Sequence, residues 1–202
     1  MTLDRFYLIV NSAAWIERLL PIGLRLVQLR VKDLPDSDIE AQISKALALC
    51  NQAGATLIVN DHWRLALRCG AAWVHLGQED LDTADIAALK AAGIRIGIST
   101  HTPEELGRAL ALEPDYIALG PVYEARGKTV DYPTQGLEGI RAWRQRVTCP
   151  LVAIGGLTLE TAPAAFAAGA DSVCVITDVL AATDPEARLT AWLAARETWT
   201  SG

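Results

Sequence analysis

The sequence contains no apolar run approaching the ~20 residues that a helical membrane span needs. Its opening, MTLDRFYLIVNSAAW, has neither the basic start nor the long apolar stretch of a secretory signal. A cytoplasmic protein without membrane contact is therefore expected. Paired cysteines are missing as well: Cys50, Cys69, Cys149 and Cys174 stand far apart, and no CxxC occurs. Without that spacing neither a zinc site nor a disulfide framework is indicated, and the four read as small core residues. No GxGxxG follows the first apolar run, where the chain reads Val10-Asn11-Ser12-Ala13, so the usual dinucleotide-binding turn is absent. Positive charge is not in excess either. The net charge of −6 repels nucleic acid, so any bound anion has to be gathered by a local basic cluster.

What is present is a soluble globular composition. The 202 residues are 51% hydrophobic and 21% charged, which suits one domain, residues 1–202, with a well-buried core. Short apolar runs rich in β-branched residues recur along the chain, each followed by a stretch of helical period. They predict strands at 6–10, 24–30, 56–60, 72–76, 94–98, 115–119, 151–154 and 172–176. Helices are expected between them, among others at 37–53, 83–92, 103–112 and 158–168. Three of these end in Ala-Gly (Ala53-Gly54, Ala92-Gly93, Ala168-Gly169), as a left-handed cap leading into the next strand requires. Alternating strands and helices imply parallel strands, and the count of eight favours a closed (β/α)8 TIM barrel over a doubly wound sheet. In that fold the chemistry sits beyond the strands' C-terminal ends, and residues 120–135 form the one long connection there.

The strand ends are polar. Period-two alternation puts Gln28, Arg30 and Lys32 on one side of the second strand, where a central parallel strand should be apolar. Inward cations need an anion or an ion-pair partner to offset desolvation, and an anion site is the reading we favour. The third strand ends in Asn60-Asp61, and the fourth runs on to Asp80. Two carboxylates beside a cationic cluster suit a Mg²⁺ bridged to phosphate, although Asp61 is also in place to be a helix N-cap. Ser99 and His101 follow the fifth strand, with Thr102 a natural N-cap before Pro103. Arg126 and Lys128 lie in the long loop. Gly155-Gly156 follow the seventh strand and Ile176-Thr177 the eighth, where barrels often bind phosphate. His75 and His101 read either as acid–base groups or as strand-end hydrogen bonders, and His62 as a surface or supporting residue. The six dispersed tryptophans read as packing anchors.

Taken in order, VQLRVKD, LIVNDHWRLAL, VHLGQEDL, GISTHT, YIALGPVY, PTQGLEG and VAIGGLT resemble the thiamine-phosphate synthase family from about Phe6 to Leu180. The resemblance implies a TIM-barrel transferase that joins a pyrimidinylmethyl diphosphate to a thiazole phosphate with Mg²⁺, releasing pyrophosphate. It further implies that Gln28, Arg30 and Lys32 hold the diphosphate substrate with Asn60, and that Asp61 and Asp80 ligate the metal. Ser99 and Lys128 would complete that half, with Arg30, Lys32 and Lys128 acting in catalysis. Gly156, Ile176 and Thr177 would take the thiazole phosphate. The family's usual Pro-Thr-x-Thr-Lys is here Glu124-Ala125-Arg126-Gly127-Lys128, so both hydroxyls are lost while the lysine stays. Arg126 is positioned to substitute as a bidentate phosphate donor. Glu124 is shared with the related thiazole tautomerases, an isomerase alternative, but those relatives lose the metal carboxylates. A non-catalytic protein that binds thiazole or thiamine phosphate is a third reading. The sequence leaves a homo-oligomer open.

Overall fold

The computed structural model describes residues 3–124 and 132–199. Among these, eight strands follow one another as β1 Phe6–Val10, β2 Leu26–Leu29, β3 Thr56–Asn60, β4 Trp73–Leu76, β5 Arg95–Thr100, β6 Tyr116–Leu119, β7 Leu151–Ile154 and β8 Ser172–Val175. Each pairs in parallel with the next, and β8 returns to β1 through Phe6↔Val173, Tyr7↔Cys174 and Leu8↔Val175, closing the expected barrel. Around it lie α1 Ala13–Leu19, α2 Asp36–Ala53, α3 Trp63–Cys69, α4 Ile86–Ala91, α5 Pro103–Leu110, α6 Gly136–Arg144, α7 Ala162–Ala167, α8 Thr177–Leu180 and α9 Pro185–Arg196.

Strand alternation sorts the side chains into two cores. Phe6, Leu8, Val27, Leu29, Leu57 and Val59 point outward and pack with the helices. Tyr7, Ile9, Leu26, Ile58, Trp73, Tyr116, Ala118, Val152 and Cys174 fill the barrel interior. Two residues beyond Leu26, Ile58 and Trp73, on the same inward parity, come Gln28, Asn60 and His75, all buried. The interior therefore turns from apolar to polar toward the C-terminal end. That gradient marks the C-terminal mouth as the place to look for a site.

The strands at 6–10, 56–60 and 151–154 have the expected bounds, and the others shift by a residue or two. β2 is shorter than 24–30 because β1 supplies partners only as far as Val10↔Leu29, so Arg30 stands just past the ladder. β5 is longer than 94–98, since Ser99 and Thr100 still pair with Ala118 and Leu119. β4, β6 and β8 each lose one terminal residue from the expected 72–76, 115–119 and 172–176. The helix expected at 83–92 begins later, because Asp80–Asp82 forms a 3-10 turn and Asp85, which accepts from the Ala88 N–H, is the cap. Likewise the 158–168 helix starts at Ala162, after a turn closed by Thr161 N–H donating to the Thr158 carbonyl. The helices expected at 37–53 and 103–112 run Asp36–Ala53 and Pro103–Leu110. Gly54, Gly93 and Gly169 take the left-handed φ expected of Ala-Gly caps, at 66°, 72° and 111°. The four cysteines are free. No helix among the described residues is long and apolar enough to cross a membrane.

Candidate active site

Beyond the C-terminal ends of β2 to β5 lies a cavity of about 270 Å³ lined by Arg30, Lys32, Asn60, Asp61, Asp80 and Ser99, together with His75, Gln78, Glu79, His101 and Tyr132. Eight of the residues singled out by sequence, His75 and His101 among them, thus share one wall system. Larger spaces of about 690 Å³ exist elsewhere, one of them among Asp4, Arg5, Cys149, Pro150 and Asp171, which precede strands rather than follow them. Volume does not choose between these sites; convergence of titratable groups does.

Asp61 and Asp80 define one side. Asp61 has φ of 60°, a left-handed conformation that costs a non-glycine residue about 1 kcal/mol and that aspartate tolerates better than most. The N-cap alternative fails for it, because His62 occupies the cap of α3 and no side chain caps that helix. Asp80 is held by the Gly77 N–H, which donates to its Oδ2 at 2.8 Å. Burial first, and the Asp61 charge second, push the Asp80 carboxyl above its ordinary value, with Gly77 and Lys32 pulling the other way. The two carboxylates are near enough for the charge of one to oppose ionisation of the other. A divalent cation fits such a pair, and Mg²⁺ characteristically takes one or two carboxylates and leaves its remaining positions to water and phosphate oxygens. No cluster of three or more histidine, cysteine or acidic ligands occurs among the described residues, as a dedicated transition-metal site would need.

The opposite side is cationic. Among the described residues neither Arg30 nor Lys32 takes part in an ion pair, so the reading of a salt-bridged barrel mouth is not what forms here. His62 Nε2 lies 3.0 Å from the Val31 carbonyl and ties the exit of β2 to the β3 turn. Among the described residues, three buried polar atoms at or beneath this cavity lack a protein partner: Asn60 Nδ2, a donor, and the acceptors Gln28 Oε1 and Gln78 Oε1. Left unpaired, each costs roughly 1–3 kcal/mol, so all three are atoms that a bound ligand would satisfy. Arg126 and Lys128 lie outside the described residues.

His75 is buried, with Nδ1 2.7 Å from the Tyr116 hydroxyl and Nε2 2.7 Å from Ser99 Oγ. Burial, reinforced by Arg30 and His101, pushes its pKa down to about 4, and the ring is neutral at pH 7. His101 is engaged differently. Its Nδ1 pairs with Glu105 at 2.8 Å, and its ring stacks on Tyr132 with centroids 4.0 Å apart. Thr102 does cap α5, accepting from the Glu105 N–H at 3.2 Å. Sequence reasoning missed Tyr7, Tyr116 and Tyr132. The first two share the inward parity of Gln28 and His75, which was the available signal.

A second cavity, of about 440 Å³, lies beyond β6 to β8 and is lined by Glu124, Gly156, Leu157, Thr158, Thr177 and Asp178. Gly155 and Gly156 have φ of 98° and 64°, and a Cβ on Gly156 would sit 2.6 Å from the Glu124 carbonyl oxygen. Only glycine lets the β6 and β7 turns approach so closely. Asp178 would repel an anion here, but Arg188 clamps it with two bonds of 2.9 and 3.0 Å and Trp192 Nε1 donates a third at 2.7 Å. Ile176 packs against the inner core.

Comparison with known proteins bears on this geometry. Residues 6–179 match the family described as thiamine monophosphate synthase. A thiamine-phosphate synthase of Rhizobium etli is 52% identical over 202 residues, covering 100% of this chain and 99% of that one. The thiamine-phosphate synthase of Salmonella typhimurium is 46% identical over 179 residues, 88% of this chain and 85% of that protein. Among solved structures, thiamine phosphate pyrophosphorylase from Pyrococcus furiosus superposes with a TM-score of 0.85 at 27% identity, covering 96% of each chain. Matched over residues 6–179 by the family model and over its whole length by a relative at 52% identity, this chain belongs to the thiamine monophosphate synthase family.

Proposed function

We propose that the protein joins a hydroxymethylpyrimidine diphosphate to a thiazole phosphate, giving thiamine phosphate and pyrophosphate. The observation that carries this reading is the meeting of Arg30, Lys32, Asn60, Asp61 and Asp80 in one cavity. The carbon–oxygen bond to the diphosphate breaks, and the electron pair leaves with the phosphate. The benzylic-type cation left on the aminopyrimidine is then captured by the thiazole nitrogen. Leaving is slow unless the growing negative charge is met by fixed donors and cations, which Arg30, Lys32 and Asn60 supply in a half-buried site. Lys128 adds to them on the strength of its place in the sequence. Asp61 and Asp80 would hold a Mg²⁺, which when bound supplies further charge compensation to the diphosphate. Gln28 offers its unpartnered Oε1 to an amino N–H of the pyrimidine. No general base or enzyme nucleophile is needed, which agrees with a His75 kept neutral and internally bonded.

The second cavity, with Gly156 and Thr177 in its wall and Ile176 preceding Thr177 in the chain, takes the thiazole phosphate in this reading. One barrel thus carries both substrates as a single domain, and its four free cysteines suit a reducing, cytoplasmic setting. Retention of both aspartates weighs for the synthase over an isomerase despite Glu124. The deciding assay mixes the purified protein, Mg²⁺ and the two phosphorylated precursors. Equal amounts of thiamine phosphate and pyrophosphate are expected, and almost none when Mg²⁺ is chelated; a protein that binds both precursors yet releases no pyrophosphate ends the proposal. Arg126→Ala is expected to raise the KM for the thiazole phosphate about tenfold, the worth of one charged hydrogen bond, with little change for the diphosphate. Equal KM values in variant and parent would remove Arg126 from the site.

A further inference from the structure

Five polar side chains form an unbroken chain through the barrel interior. Gln28 Nε2 lies 2.6 Å from the Tyr7 hydroxyl, which is 3.0 Å from that of Tyr116. Tyr116 is 2.7 Å from His75 Nδ1, and His75 Nε2 is 2.7 Å from Ser99 Oγ at the cavity wall. We propose that this chain is a one-way hydrogen-bond relay that fixes His75 as the Nε2–H tautomer and makes Ser99 an obligatory donor toward the substrate. Tyr7, Tyr116 and His75 are on this view positioning residues for Ser99. The inference rests on the reading of the first cavity as the diphosphate substrate site.

The direction follows from counting protons. An amide nitrogen only donates, so the Tyr7 oxygen accepts from Gln28 and sends its single proton to Tyr116. Tyr116 must then donate to His75 Nδ1. A neutral imidazole accepting at Nδ1 carries its proton on Nε2 and donates to Ser99 Oγ. The serine proton is left over and faces the cavity. Burial pushes both phenols above their ordinary value, so each keeps its one proton at neutral pH. Turning the Gln28 amide over would reverse every link and make Ser99 an acceptor. That arrangement puts two N–H donors where Oε1 now stands buried without a partner, and orphaned buried N–H groups are rarer than under-satisfied carbonyls. The stated direction is the cheaper one, and an amino group on a bound ring would lock it by donating to Oε1.

Nitrogen-15 NMR of histidine-labelled, substrate-free protein at pH 7 reads the tautomer directly, with His75→Gln identifying the resonance. A ring protonated at Nε2 is expected; one protonated at Nδ1 overturns the proposal, whatever the synthase assay gives. Tyr116→Phe is expected to raise the KM for the pyrimidine diphosphate about tenfold and to leave that for the thiazole phosphate within twofold. In a Ser99→Ala background the same substitution should cost nothing more, since its effect passes through the serine. Fully additive losses would show that Tyr116 acts on packing alone and would overturn the relay. Where Tyr116→Phe does not fold, the parent tautomer decides the matter.

Discussion

Asp80→Asn gives a protein that melts higher than its parent and turns over about 100- to 1000-fold more slowly, because a group stabilising the developing charge is typically worth 10²–10³ in kcat. Asp61→Asn behaves alike in activity. Asparagine is chosen because it keeps an acceptor for the Gly77 N–H and, at position 61, suits a φ of 60°. The gain in stability follows from the sign of the Asp80 shift. Its carboxyl is raised in the folded state, so the native protein holds that proton more tightly than the unfolded chain. The ionised pair therefore destabilises the fold at neutral pH, and the penalty fades as pH falls into the carboxylate range. The melting difference between Asp80→Asn and parent should be largest near pH 7 and shrink on acidification. Thermal melts across pH check this without reference to turnover. A variant that melts lower at every pH would mean that the two carboxylates are not in conflict.

Gly97→Ala destroys the inner core. A methyl group at Gly97 falls 2.5 Å from the Tyr116 hydroxyl oxygen and closer still to two of its ring carbons. Tyr116 is wholly buried, lies edge-on to Tyr7 and stacks on His75, and its hydroxyl is bonded on both sides. The ring has nowhere to swing. Ordinary overpacking costs about 1–3 kcal/mol, and this case belongs at or above the upper end. For a chain of this size that is a loss of roughly 6–12 °C in Tm. Gly107→Ala in α5 is the control: no atom lies within 4 Å of its added methyl, and alanine there should gain about 0.5–1 kcal/mol. Melting temperatures of the two variants on either side of the parent are the expected pattern. A Gly97→Ala protein as stable as the parent would mean that the interior repacks around Tyr116.

These two sites also show what the sequence makes legible. Strand count, parallel order and inward parity at Gln28 were readable because the apolar strand runs repeat eight times and three helix-to-strand edges carry Ala-Gly. Asp61 and Asp80 were readable as residue types at strand ends, yet their mutual conflict was not, since it depends on how far the β3 and β4 turns bend toward each other. Tyr7 and Tyr116 lie inside apolar strand runs, and nothing local in the sequence pairs them. Only three-dimensional closure puts residues 109 positions apart within hydrogen-bond distance. Gly97 gave no signal of its own, because the space it leaves belongs to a ring on the neighbouring strand. Short-range pattern specifies which way a side chain faces; what it meets there is a property of the closed barrel.

The two cavities share no lining residue, the first being framed by the exits of β2 to β5 and the second by those of β6 to β8. Inheritance can therefore act on the halves separately. On the assignment of the two cavities proposed above, changes around Glu124 and Thr177 would retune which acceptor is welcomed while the pyrophosphate-releasing half is passed on intact, so lineages of this barrel could diverge in what they build without relearning how to cut.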